Sequence, residues 1–167
     1  VYVATYVETL PSAAKDGASA DYVITGSSTT PLATEVAAIR PRYAVVMFGT
    51  NDAAARSIFQ FGPNLLEIVD RLADDGVVPI MSTVPPNNED ATVDERVPRF
   101  NAVIRGIAQA RRLPFMDYWT EMVPLPNRGM SESSPLHPNF YSGGACKLTP
   151  DGLMFGYNVR NWLTLES

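Results

Sequence analysis

The sequence is short of four things: cysteine, histidine, positive charge and long apolar runs. Cys146 is its only cysteine, so no disulfide can close within the chain and the redox compartment stays open. The expected role of Cys146 is that of a small buried hydrophobe. Lys and Arg number 13 against 18 Asp and Glu, a net charge of -5, and no basic run exceeds Arg111-Arg112. That balance argues against a phosphate-tracking surface and hence against nucleic acid as a partner. No stretch approaches the ~18 apolar residues of a membrane span. The opening residues, Val1-Tyr2-Val3-Ala4-Thr5-Tyr6, carry neither an initiator Met nor a signal-peptide pattern, so the chain is expected to begin inside a domain. With one histidine in the chain, His137 is the first candidate for acid-base chemistry near neutral pH.

What is present fits one domain over residues 1–167. A hydrophobic content of 46% with 10% aromatics supplies one core, and a chain of this size buries roughly 68 to 70% of its unfolded surface. Val3, Tyr6, Val7 and Leu10 recur at helical spacing before Pro11. Lys15 to Ala20 reads as a loop, and Asp21 to Thr25 as a strand ending at Gly26-Ser27-Ser28-Thr29. Thr30-Pro31 then opens a helix with Leu32, Val36 and Ile39 inward. Tyr43 to Phe48 is a buried strand that runs into Gly49-Thr50-Asn51-Asp52, and Asp52 to Gly62 is expected as a loop at the strand's end. Pro63 to Asp75 reads as a helix stopped by Gly76, and Val77 to Thr83 as a strand that Pro79 assigns to an edge or bulge. After an acidic loop from Pro85 to Asp94 come a helix from Glu95 to Arg112 and a strand from Pro114 to Tyr118. A long loop from Pro124 to Gly144 holds His137, and Thr149-Pro150 opens a last helix through Leu163. Strands alternating with helices predict an α/β fold, a three-layer α/β/α sandwich with a mostly parallel sheet.

Three polar clusters fall where strands end or long loops return: Gly26-Ser27-Ser28, Gly49-Thr50-Asn51-Asp52 and Ser134-Pro135-Leu136-His137. In an open α/β sheet the carboxyl ends of the strands are where ligands bind. In order and surroundings the clusters resemble the SGNH hydrolases, the GDSL esterase and lipase family, over nearly the whole chain. The resemblance implies an oxyanion hole made by Gly26 and Asn51, and His137 as the base. In the family an Asp stands three residues before that histidine; here the position is Ser134. The family's nucleophile lies in a Gly-Asp-Ser motif on a first strand ahead of the first helix, and this chain starts at about that helix. The nucleophile is therefore expected before Val1, on a separate N-terminal segment of the same protein, with Ser27 and Ser28 as fallbacks. The other reading of that gap is a remnant unable to do the chemistry; it is disfavoured because a missing central strand would leave a large slot in the core.

The chemistry can be stated from the residues. Ester hydrolysis needs a nucleophile, a base within hydrogen-bond reach of it, and neutral donors aimed at the developing oxyanion. Asn51 offers a side-chain N–H, Gly26 a backbone N–H unobstructed by a Cβ, and His137 a base. A serine at 134 can hold the imidazole but cannot stabilise imidazolium by charge, which leaves a dyad helped by a backbone carbonyl or by an acid such as Glu132. Asn51-Asp52 could equally cap a strand as an Asx turn, and His137 could be a loop histidine satisfied by a carbonyl. Asp90, Asp94 and Glu95 read as a solvated acidic loop with no metal role. Trp119 is a rim aromatic that could line an acyl or sugar pocket. The expected function is a serine ester hydrolase acting on a small acetyl, fatty-acyl or sugar ester through an acyl-enzyme, with no metal or organic cofactor. The alternatives are an inactive domain of the same fold that binds a carbohydrate or lipid, and a flavodoxin-like nucleotide or signalling domain.

Overall fold

A computed structural model describes residues 11–26 and 29–167, so the helix expected over Val3 to Leu10 and the serines Ser27 and Ser28 lie outside the described residues. The elements in order are α1 (Ala20–Ile24), α2 (Pro31–Ile39), β1 (Tyr43–Val46), α3 (Thr50–Ala55), α4 (Ile58–Asp74), β2 (Val78–Ser82), α5 (Ala91–Asp94), α6 (Val97–Arg111), β3 (Phe115–Met116), α7 (Tyr118–Met122) and α8 (Gly156–Glu166). Short 3-10 turns lie at Pro126–Gly129 and Gly152–Met154. The strands pair in the order β1-β2-β3, all parallel, with Tyr43 opposite Val78 and Met81 opposite Phe115. Parallel neighbours need a crossover between them; α3 and α4 make the first and α5 and α6 the second. The α/β class with a parallel sheet is the one the alternation predicts.

The apolar stripe of α4 explains the core. Phe61, Leu65, Ile68, Val69 and Leu72 recur at helical spacing and are all buried. They pack on β2 and on α6, whose Val97, Phe100, Ile104 and Ala108 face them, with the Phe61 and Phe100 rings 4.9 Å apart. A smaller cluster of Tyr118, Met122, Met130 and Val159 ties α7 and α8 to the loop that bears His137.

Several expectations are corrected. Asp21 to Thr25 is not a strand: Ala20 and Val23, three apart and buried, form the inner face of α1, which packs on α4. The loop expected from Asp52 to Gly62 is α3 and the start of α4, where Gln60 Oε1 accepts from the Ser57 N–H at 3.1 Å, half of a capping box. Pro63 thus sits inside α4 instead of opening it. Pro79 lies on the central strand. It is tolerated because β3 begins opposite Met81, so no β3 residue stands opposite Pro79, where its missing N–H would have donated. Tyr118 belongs to α7 and not to β3, and the last helix proper starts at Gly156. Cys146 is exposed, not buried. Asp94 is an ion-pair partner of Arg128 at 2.8 Å, and Asp90 caps α5 through the Thr92 and Val93 N–H groups, so this loop is structural more than solvated.

Among the described residues β1 pairs with β2 alone. Tyr43 and Val45 on this edge strand are 64% and 45% exposed.

Candidate active site

The end of β1 builds the first wall of the site. Gly49 has φ +134°, and a Cβ there would stand 3.1 Å from Val84 Cγ1, so the turn out of the strand requires glycine. The first turn of α3 then sends two adjacent side chains to one segment. Asn51 Nδ2 donates to the Ala18 carbonyl at 3.0 Å. Asp52 is wholly buried, and both its carboxylate oxygens accept from the Ala20 N–H at 3.1 Å. Burial pushes the Asp52 carboxyl above its ordinary value; the Ala20 hydrogen bond opposes that rise, the Asp21 charge adds to it, and Arg56 opposes it.

His137 is presented by a closed loop. Met130 and Pro138 form an isolated antiparallel bridge, the Ser131 N–H donates to the His137 carbonyl at 2.9 Å, and the Asn139 N–H donates to the Gly129 carbonyl at 2.8 Å. Asn139 Oδ1 in turn accepts from the Gly156 N–H at 2.7 Å, which fixes the loop to the start of α8. Inside the loop the His137 N–H donates to the Ser134 carbonyl at 2.8 Å, a turn that brings Ser134 Oγ to 2.7 Å from His137 Nδ1. The partner of the imidazole is therefore the serine that stands three residues earlier. His137 Nε2 has no hydrogen-bond partner among the described residues.

His137 and Asn51 line one cleft of about 690 Å³, together with Lys15 to Ala18, Met47, Phe48, Tyr118, Tyr157 and Arg160. The Tyr118 hydroxyl donates to the Gly156 carbonyl at 2.9 Å, and burial keeps it protonated well above the ordinary tyrosine range. Gly26 does not line the cleft. It follows helix α1, and a Cβ there would run into the Thr29 carbonyl oxygen, so its glycine serves a backbone turn. Two glycines do line the cleft with Asn51, Gly49 of the β1 turn and Gly17, the latter at φ +72° with an N–H that donates to no acceptor among the described residues. Sequence reasoning missed Gly17. The Asp16-Gly17 turn signal just before a residue that caps a helix, Ser19, was the available clue. Trp119 lies instead on a separate hollow of about 270 Å³ with Arg105 and Asp117, which form an ion pair.

A parallel α/β sheet thus carries, at the end of β1, a cleft lined by an amide, Asn51, and a histidine, His137. The sequence profile of the GDSL-like Lipase/Acylhydrolase family matches residues 4–140, and the chain belongs to that family. A GDSL-like lipase from Bacteroides thetaiotaomicron is similar in structure, with a TM-score of 0.67 at 19% identity over 90% of this chain and 70% of that one. A catalytic mutant of an acetylxylan esterase from Geobacillus stearothermophilus gives 0.67 at 15% identity over 90% and 67%. A member of the lipolytic protein G-D-S-L family from Veillonella parvula gives 0.61 at 20% over 90% and 75%. At these identities the likeness shows the fold, that of the SGNH hydrolases. No curated protein matches the sequence.

Proposed function

We propose that this protein is a serine ester hydrolase working through an acyl-enzyme, with His137 as base and with Asn51 Nδ2 and the Gly17 N–H as oxyanion donors. The observation that carries the reading is the 2.7 Å contact of Ser134 Oγ with His137 Nδ1 in the loop that hangs His137 over the Asn51 cleft. With Nδ1–H donating to Ser134, Nε2 is left as a free acceptor, the form a general base needs. One Asn51 Nδ2 hydrogen holds the Ala18 carbonyl and the other is available to the oxyanion.

The steps follow. A serine hydroxyl attacks the ester carbonyl carbon while His137 Nε2 takes its proton, and the carbonyl oxygen becomes an oxyanion held by Asn51 and Gly17. The tetrahedral adduct collapses, the C–O bond to the alcohol breaks, and the imidazolium returns the proton to the leaving alkoxide. Water repeats the sequence on the acyl-enzyme. The substrate is a small-molecule acyl ester, the class to which the lipase and acetylxylan esterase relatives point.

Among the described residues the cleft lining includes no serine or cysteine. The attacking serine in this reading rides on a strand laid along the edge of β1 that is unpaired among the described residues, beside the cleft. The second reading is an inactive domain that binds a carbohydrate or lipid. Hydrolysis of a short-chain aryl ester by the full-length protein separates the two. Under the enzyme reading Asn51→Ala lowers kcat by on the order of 10² to 10³ with little change in KM; an unchanged kcat removes Asn51 from the mechanism.

A further inference from the structure

Asp52 is a carboxylate taken wholly out of water, and no cation touches it: among the described residues its side chain meets one donor outside its own residue, the Ala20 N–H, beside its own backbone N–H. The nearby charges are spent elsewhere. Arg56 pairs with Asp21 at 3.0 Å, and Arg96 donates to the Ala53 carbonyl at 3.3 Å. Burying an ionisable group costs several kcal/mol unless it is well partnered, and an apolar side chain would fill the same space without that cost. What Asp52 adds is the grip on Ala20. Its neighbour Asn51 grips Ala18 from the same helical turn. The two bonds span 32 and 33 residues of sequence and fasten both ends of the Ala18-Ser19-Ala20 segment to the start of α3. Gly17 is the next residue out, its backbone already turned by the bond from the Ala18 N–H to the Lys15 carbonyl at 3.1 Å.

We propose that Asp52 is a positioning residue: by holding Ala20 it fixes where the Gly17 N–H points in the cleft. Two backbone-anchored points two residues apart, Ala18 and Ala20, leave the intervening peptide little freedom. An oxyanion donor needs that fixity, because its advantage over water is that it does not reorient during the reaction. The inference rests on Gly17 being an oxyanion donor, as proposed above, and it gives the one acid of the Gly49-Thr50-Asn51-Asp52 turn a task distinct from that of Asn51.

The test is ¹⁵N–¹H NMR of the full-length protein, wild type beside Asp52→Ala and Asp52→Asn. Asp52→Ala is expected to speed exchange of the Ala20 amide by about 10-fold or more, the scale of one lost charge-assisted hydrogen bond. It should also shift the Gly17 amide while leaving the buried Ile104 and Ala108 amides of α6 in place. Asp52→Asn keeps one acceptor oxygen, so its Ala20 amide proton moves upfield and its exchange falls between the other two. In the ester assay Asp52→Ala lowers kcat by about 10-fold or more at unchanged KM, and Asp52→Asn recovers part of it. Ala20 and Gly17 amides that stay put in Asp52→Ala overturn the proposal, as does a change in KM with kcat intact. If Asp52→Ala does not fold, an unmoved Ala20 proton in Asp52→Asn overturns it equally. A wild-type protein that hydrolyses no ester contradicts the proposed function, and the amide signals then decide the Asp52 grip without it.

Discussion

At the scale of single residues the site turns on a substitution of chemistry at position 134. The Ser134 hydroxyl holds the His137 imidazole at Nδ1, yet offers no charge to the imidazolium that the proposed attack would form. Ser134→Asp is therefore expected to raise kcat/KM by on the order of 10-fold, equivalent to about 1.4 kcal/mol of transition-state stabilisation. Steady-state hydrolysis of an aryl ester measures it, and an unchanged value means that another acid already serves the ring. Asp52 makes a prediction of opposite character. Its folded-state pKa is raised above the ordinary 3.8, chiefly by burial. Its contribution to stability is therefore fully present below that value and is lost as pH rises through the folded pKa. Asp52→Asn removes this dependence, so the difference in melting temperature, variant minus wild type, should grow more positive from pH 3.5 to pH 7. A difference that shrinks with rising pH would mean that the ionised carboxylate stabilises the fold.

At the scale of elements, the contact between α4 and α6 carries the core. Phe61 is fully buried against Phe100, and Phe61→Ala is expected to cost about 3 to 5 kcal/mol by denaturant unfolding; a loss under 1 kcal/mol would place the core elsewhere. These helices were legible because their apolar stripes are long and keep one period, as in Leu65, Ile68, Val69 and Leu72. The strand into Gly49 was legible as well, since an unbroken apolar run stops at the one residue able to make the turn. His137 was legible as the only histidine of the sequence, and Ser134 through the family resemblance, which places the histidine's partner three residues before it in the same loop. Helix α1 was not legible. Tyr22-Val23-Ile24-Thr25 has strand propensity, and packing of Ala20 and Val23 on α4 overrides it. That one misreading put Gly26 at a strand end and left Gly17 in a featureless loop. The long-range bonds from Asn51 and Asp52 that give Gly17 its place have no local signature.

At the scale of the molecule, the β1 edge, unpaired among the described residues, adjoins the cleft lined by Asn51 and His137. Alternation along a parallel strand, with the Val78 N–H bonded to the Arg42 carbonyl, turns the Ala44 and Val46 amides toward β2 and the Tyr43 and Val45 amides toward the open edge. If a serine-bearing strand lies there in the full-length protein, hydrogen exchange should find the Tyr43 and Val45 amides as protected as those of Ala44 and Val46. Rapid exchange at Tyr43 and Val45 alone would leave the edge bare. The central claim is that the His137 cleft hydrolyses esters. Its most direct test is the turnover of 4-nitrophenyl acetate by the full-length protein, wild type beside His137→Ala. Measurable turnover is expected in the wild type, with a fall in kcat on the order of 10³-fold or more in the variant, the scale of losing the base from a nucleophile–base unit. Turnover that is absent from the wild type, or that survives His137→Ala undiminished, would contradict it.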